Sequence, residues 1–445
     1  MTPAAQIAAV IDILDTLYAG DAVTASAAQA LRSGMQRRRY AGSGDRHAIG
    51  DLFWQIQRGL ARLCWHLEAV NADITGRHLV LAALVLMDRQ DAALAEPSSL
   101  FSADIAHAPA PLSDAELQLV AQLAEPQFNE PSMPQHIALE WPEWLMRDAA
   151  AGLGDDFAEN LSALCVAAPT DIRVNPIKIT DQRKLRDRLA GREIKGHPTR
   201  LSPFGVRLQK RSRLDDLQDW KKGLFEIQDE GSQLASLLCD ARPGMQVADI
   251  CSGAGGKALV MAAMMQNKGR ILALDTAAER LERGGERLRR AGIHNVERKL
   301  IAEKWSSRPW RGKFDRVVVD APCSGSGTWR RQVDGRWRIT AERLAFYQET
   351  QAILLDKARA MVAPGGRIIY ITCSVLASEG ADQIDRFLRD APDLEAANIG
   401  DIWADTVGAA GGGACPPHAP GHLQLLPGRD GTDGFFIAVL QARLR

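Results

Sequence analysis

The chain has 445 residues, 46% of them hydrophobic and 24% charged, with a formal net charge of −1; this is an ordinary globular composition, and the length corresponds to roughly two to four domains. Its longest apolar run, Leu79 to Met87, is nine residues, against about 20 for a membrane-spanning helix, and no basic group precedes the first apolar stretch as a secretory signal requires. No membrane partner is expected, and the cytoplasm is the expected compartment. Seven cysteines without a Cys-x-x-Cys pair exclude a disulfide framework and a zinc ribbon, so no metal is expected either.

Residues 1–150 read as an all-helical domain. Ile7, Val10, Ile11 and Leu14 recur at helical spacing, as do Leu52, Ile56, Leu60 and Leu63. Breakers at Pro109 to Pro111 and Pro126 to Pro134 predict loops before a short helix between Pro142 and Leu153. This region holds 18 acidic and 10 basic residues, an excess of negative charge interrupted by the basic cluster Gln36 to Tyr40.

The charge then reverses. No lysine precedes Lys178, whereas Asp181 to Arg213 holds 11 Lys or Arg against 3 acids, a block that can follow a phosphate backbone or simply be a solvated face. It lies in a region, 160–240, that opens with the extended alternation Asp171 to Pro176 and reads as a small mixed α/β module.

Residues 241–445 alternate short β-branched runs (Met245 to Ile250, Arg270 to Asp275, Phe314 to Asp320, Arg367 to Cys373) with helical segments (258–265, 277–291, 341–362, 379–389). That order predicts a doubly wound, Rossmann-like parallel sheet with helices on both faces. The Gly, Ala and Pro-rich stretch Val407 to His422 reads as a mobile loop, followed by closing strands at 423–426 and 434–440.

The first of these strands runs into Cys251, Ser252, Gly253, Ala254, Gly255, Gly256 and Lys257, a glycine turn where open α/β sheets bind ligands. A phosphate-binding P-loop fails here, because Cys251 stands where Gly is needed and Ala258 where the metal-binding hydroxyl is needed. A dinucleotide or S-adenosylmethionine remains, and either would use Asp275 at the end of the second strand for its ribose.

Two later strand ends separate these options. Cys323, after Asp320-Ala-Pro, and Cys373, after Ile371-Thr, emerge at the same edge if both strands are parallel. Hydride transfer has no use for two thiols, but methylation at C5 of a pyrimidine does. A thiolate added to C6 makes C5 nucleophilic, and a second group must act as base or assist release.

Together these segments resemble the Sun or Fmu (RsmB-type) RNA cytosine-C5 methyltransferases of the Nop/Sun group, collinearly from about Pro169 to the C-terminus. The resemblance rests on Arg173 to Pro176, Gln228 to Gln233, the turn 251–257, Asp275, Asp320 to Gly325, Trp329 to Arg331, Gln348 to Leu355, Pro364 to Gly366, Thr372 to Ser374 with Glu379, and Gly431 to Phe436. It implies Cys373 as nucleophile and Cys323 as the helper in product release. It also implies S-adenosyl-L-methionine as cofactor, bound by residues 251–257, Asp275, Asp320 and, on the adenine side, Glu303. The substrate implied is RNA, ribosomal above all, at an unstacked or single-stranded cytosine.

The basic stretch becomes an RNA-tracking surface, residues 1–150 are similar in length and helical character to a NusB-like domain, and the family implies a monomer. Departures from the pattern are Ala254 for proline, Ala258 for a hydroxyl residue and Glu303 for an aspartate after glycine. They leave room for a non-catalytic RNA-binding assembly factor, and transfer RNA is the alternative substrate.

Overall fold

A computed structural model describes residues 1–18, 26–87, 97–179 and 181–444. The chain divides into two compact units. The first comprises Met1–Met146, Leu161–Val166 and Trp329–Arg338; the second comprises Arg147–Asn160, Ala167–Thr328 and Ile339–Arg445.

The first unit is helical among its described residues, with principal helices Pro3–Tyr18, Ala27–Arg37, Ser43–Arg58, Leu60–Ala69, Gly76–Leu86 and Asp114–Leu123. Ser26, Thr75 and Ser113 cap three of them by accepting the backbone N–H of the helix's third residue. Of the periodic positions, Ile7, Val10, Leu14, Ile56 and Leu63 are buried in one core with Phe53 and Leu67, while Ile11, Leu52 and Leu60 lie at its margin. Each fully buried Leu, Ile or Phe stabilises such a core by about 1.5–3 kcal/mol.

A late segment completes this unit. Trp329 packs on Trp141 with ring centroids 4.5 Å apart, and buried Arg336 donates to the carbonyls of Glu140 (2.9 Å) and Leu164 (3.1 Å). Asp334 accepts the N–H of Ala27 at 2.9 Å.

The second unit contains two sheets. The smaller is antiparallel, in the order β2-β3-β1-β4, from β1 (Asp171–Val174), β2 (Gly196–Pro198), β3 (Gly205–Leu208) and β4 (Phe225–Ile227). Helix Gln182–Ala190 covers it through Leu185 and Leu189, which meet Ile172, Val174, Val206 and Phe225. The basic stretch therefore lies on this small module, and its charges are unequally free. Arg207 turns inward to a bidentate bond with buried Asp171 (2.8 Å twice), and Arg188 pairs with buried Asp219. Arg183, Lys184, Lys195, Lys210 and Arg211 remain exposed.

The larger sheet has the order β10-β12-β9-β8-β5-β6-β7, with β11 paired to β12. Its strands are β5 (Gln246–Ile250), β6 (Arg270–Asp275), β7 (Val296–Leu300), β8 (Phe314–Asp320), β9 (Val362–Thr372), β10 (Leu394–Ala396), β11 (His422–Leu425) and β12 (Phe435–Ala442). β5 to β9 are mutually parallel, and the apolar runs of β5, β6, β8 and β9 suit a sheet covered on both faces, whereas the edge strand β7 is largely exposed. The closing strand β12 runs antiparallel to β9.

The stretch expected to be a mobile loop is anchored at its start. Val407 is fully buried, and Trp403 donates its indole N–H to the Gly413 carbonyl (2.9 Å). Gly413 lies where a Cβ would meet the Arg200 carbonyl at 2.5 Å. The glycines there serve close packing as well as turning.

Candidate active site

The carboxyl ends of β5, β6, β8 and β9 form one edge, and most of the predicted site residues stand on it. After β5 the chain turns through Cys251, Gly253 and Gly255, all with positive φ (62°, 57° and 74°). Glycine takes that conformation freely, whereas Cys251 does so at a cost of about 1–3 kcal/mol, a strain characteristic of functional sites. The turn is held from outside by Arg287, which donates to the Ala254 carbonyl (3.0 Å). Gly284 lets the helix Ala278–Ala291 approach, since a Cβ there would meet the Ala254 carbonyl carbon at 3.3 Å.

Asp275 ends β6 and clasps the turn. One carboxylate oxygen accepts the Gly253 N–H (2.7 Å), the other the Ala277 N–H (2.8 Å), and each oxygen keeps a lone pair for a ligand hydroxyl. Lys257, buried at the start of helix Gly256–Met264, reaches Asp320 at the end of β8 with 2.7 Å between Nζ and Oδ2. Burial opposes the lysine's charge, but the Asp320 carboxylate, with Asp249 and the Cys373 sulfur assisting, outweighs it and holds the ammonium above its ordinary pKa. Glu303 stands apart, exposed on the loop after β7.

Cys323 and Cys373 meet with 3.5 Å between sulfurs. Their loops are tied by the Gly327 N–H donating to the Cys373 carbonyl (3.0 Å) and by Ser326 and Ser374 hydroxyls 2.9 Å apart. The hydrogen bond to Cys373, followed by burial, raises the Cys323 thiol well above its usual value. Cys323 therefore keeps its proton, beside the Cys373 sulfur. Cys251 is not part of this pair, and burial pushes its thiol up to about 12.

Three residues outside the predicted set shape the site. Glu379, fully buried, accepts the Ser324 N–H (2.9 Å) and hydroxyl, and Gln351 bridges Glu379 (3.1 Å) to the Pro322 carbonyl (2.9 Å). These bonds hold the loop that carries Cys323. Asp249, in β5, is 0% exposed, and neither carboxylate oxygen has a partner. The visible signal for Asp249 was a carboxylate inside an otherwise apolar strand; for Glu379 it was an acid soon after the Thr-Cys-Ser segment.

The edge suits a ligand with a ribose and a cationic tail. Asp275 offers acceptors, Gly253 has nothing within 4 Å of where a Cβ would lie, and the Ser252 hydroxyl and Asp249 carboxyl are buried without partners. A doubly wound sheet with this turn, this acid and these strand ends has the architecture of the Rossmann-like methyltransferases.

Comparison with known proteins narrows the class. Residues 236–441 match the family described as 16S rRNA methyltransferase RsmB/F, and residues 141–215 match the ferredoxin-like domain of RsmF/B-like methyltransferases. The ribosomal RNA small subunit methyltransferase B of Xylella fastidiosa (strain 9a5c) is 32% identical over 304 residues, 67% of this chain and 68% of the relative. The probable ribosomal RNA small subunit methyltransferase B of Bacillus subtilis is 30% identical over 305 residues, 68% of this chain and 66% of the relative, so the match spans just under two thirds of that relative's length. The crystal structure of PH0851 shares the fold, with a TM-score of 0.74, 22% identity and 99% of each chain covered. The chain belongs to the RsmB/F family.

Proposed function

We propose that this chain is an S-adenosylmethionine-dependent RNA cytosine-C5 methyltransferase acting on small-subunit ribosomal RNA. The observation that carries the reading is the pair of thiols at 3.5 Å on adjacent strand ends, beside a glycine turn and a buried ammonium. Family membership supports the RNA substrate.

In this reading Cys373 is the nucleophile. The reading requires it to react as the thiolate, with its sulfur 3.5 Å from that of Cys323 and within the field of Lys257. Addition of that thiolate to C6 of cytosine makes C5 an enamine-like nucleophile. Bound S-adenosylmethionine supplies the electrophilic methyl group. Once C5 has given its proton to a solvent base, the Cys373–C6 bond breaks with its electrons going to sulfur, and the Cys323 S–H is placed to protonate the departing sulfur. Asp320 keeps Lys257 aimed at the site, and Asp275 and the turn 251–257 hold the cofactor.

The same reading assigns catalysis to residues 241–445, RNA tracking to the exposed cations of 160–240, and docking to the acidic helical region 1–150. Mapping 5-methylcytosine in total RNA with and without the protein tests the activity; an unchanged map refutes it. Cys373→Ala is expected to abolish both adduct and methyl transfer, and Cys323→Ala to trap a covalent RNA–protein complex; full activity of both variants refutes the mechanism. RNA affinity without S-adenosylmethionine binding would favour an assembly factor instead.

A further inference from the structure

Asp249 takes no part in the proposed reaction steps. It sits next to last in β5, between Ala248 and Ile250, both fully buried and apolar, and it is itself 0% exposed. Both of its oxygens lack a hydrogen-bond partner, as does the Ser252 hydroxyl three residues later.

The groups that face it come from every neighbouring element. Asp320 approaches from β8, Asp275 from β6 and Lys257 from helix Gly256–Met264. The Cys239 thiol lies after helix Glu230–Leu237, and Cys251 in its own turn. This cluster has three carboxyl groups and a single ammonium, and that ammonium is already bonded to Asp320 at 2.7 Å. A buried carboxylate with neither donor nor free counter-charge cannot hold its negative charge. Burial, and then the Asp320 charge, push the Asp249 carboxyl up to about 8, so near neutrality it carries a proton.

We propose that Asp249 is a proton-storing counter-charge: its carboxyl ionises when a cationic ligand seats over the turn Cys251–Lys257, so that binding expels one proton. The inference rests on the reading above, in which the cation is the ammonium- and sulfonium-bearing end of S-adenosylmethionine. The carboxyl O–H bond breaks, the proton passes to the buffer, and the carboxylate remains as partner to the bound cation. Affinity then rises with pH, approaching tenfold per pH unit well below the carboxyl pKa and levelling off above it.

Calorimetric titration of the full chain with S-adenosylmethionine near pH 7, in phosphate and in Tris, counts the protons. The wild type is expected to release about one proton per ligand. Asp249→Asn is expected to release almost none, with a pH-independent affinity about tenfold weaker than wild type near pH 8. Infrared difference spectra of the wild type supply a second readout that does not depend on the variant folding: the protonated-carboxyl band is expected to disappear on binding.

Binding without proton release, a band that persists, or undiminished release by a folded Asn variant overturns the inference and leaves the proposed function standing. Failure of S-adenosylmethionine to bind the wild type overturns both.

Discussion

On the β8–β9 side of the catalytic edge, Glu379 binds both the N–H and the hydroxyl of Ser324, Gln351 links Glu379 to Pro322, and Ser326 holds the Val375 N–H (3.0 Å). On the β5–β6 side, Asp249 and Ser252 are as deeply buried but their side-chain oxygens have no partner in the chain. Apart from the buried Gln351 Oε1, which has no partner, the first side completes its own hydrogen bonds and presents two sulfurs; the second keeps a carboxyl and a hydroxyl in reserve. One is arranged for chemistry on a substrate that comes and goes, the other for a ligand that finishes the structure.

If that division holds, damage to one side should leave the other's function intact. The sharpest case is Cys373→Ala, expected to lower methyl transfer by more than about 1,000-fold while leaving S-adenosylmethionine affinity within about twofold. A comparable loss of cofactor binding would show that the sides are not separable.

Asp249→Asn probes the unpartnered side through stability. A carboxyl whose folded pKa, about 8, lies above its ordinary 3.8 contributes stability that is complete below the lower value and is lost as pH rises toward the upper one. The Asn substitution should therefore stabilise the ligand-free protein progressively between about pH 5 and pH 8, reaching on the order of a few kcal/mol. Melting curves across that range check the trend, and a flat difference contradicts it.

Glu379→Gln tests the completed side. It keeps the shape but loses charge-assisted acceptance from Ser324, so a destabilisation of about 2 kcal/mol and a roughly tenfold lower kcat are expected, with cofactor affinity unchanged. A shift in cofactor Kd instead would mean that the loop bearing Cys323 also shapes the turn. The smallest effect belongs to Gly284→Ala. Its Cβ would press on Ala254 at 3.3 Å, offsetting the gain in helix propensity of about 1 kcal/mol, and cofactor affinity should fall about threefold by calorimetry.

How far these sides could be read from the residues alone follows the same line. The turn 251–257, Asp275 and the two cysteines were legible because each sits at a strand end marked by local pattern, and parallel strands bring such ends together. The isolation of Asp249 was not, because being unpartnered is a property of neighbours contributed by β6, β8 and a helix. The loop-holding function of Glu379 depends likewise on Gln351, distant in the chain.

Charge counting credited Arg207 to the basic surface, although Asp171 draws it inward. The antiparallel setting of β12 was also hidden, since β-branched runs look alike in either direction. Glu303, chosen as the acid nearest the end of β7, is exposed to solvent.

The insertion of Trp329–Arg338 into the helical unit has a consequence for how the molecule is made. A polypeptide emerging from the ribosome N-terminus first has the whole stretch up to Met146 available long before Trp329 and Arg336 exist. Until they arrive, Trp141 lacks its aromatic neighbour and the Glu140 and Leu164 carbonyls lack their guanidinium donor. The helical unit can reach its final packing only after translation has passed residue 338, by which point four of the five parallel strands have been synthesised. A gene cut after codon 166, which keeps Leu161–Val166, is thus expected to yield a loosely packed fragment, and supplying the 329–338 peptide should tighten it.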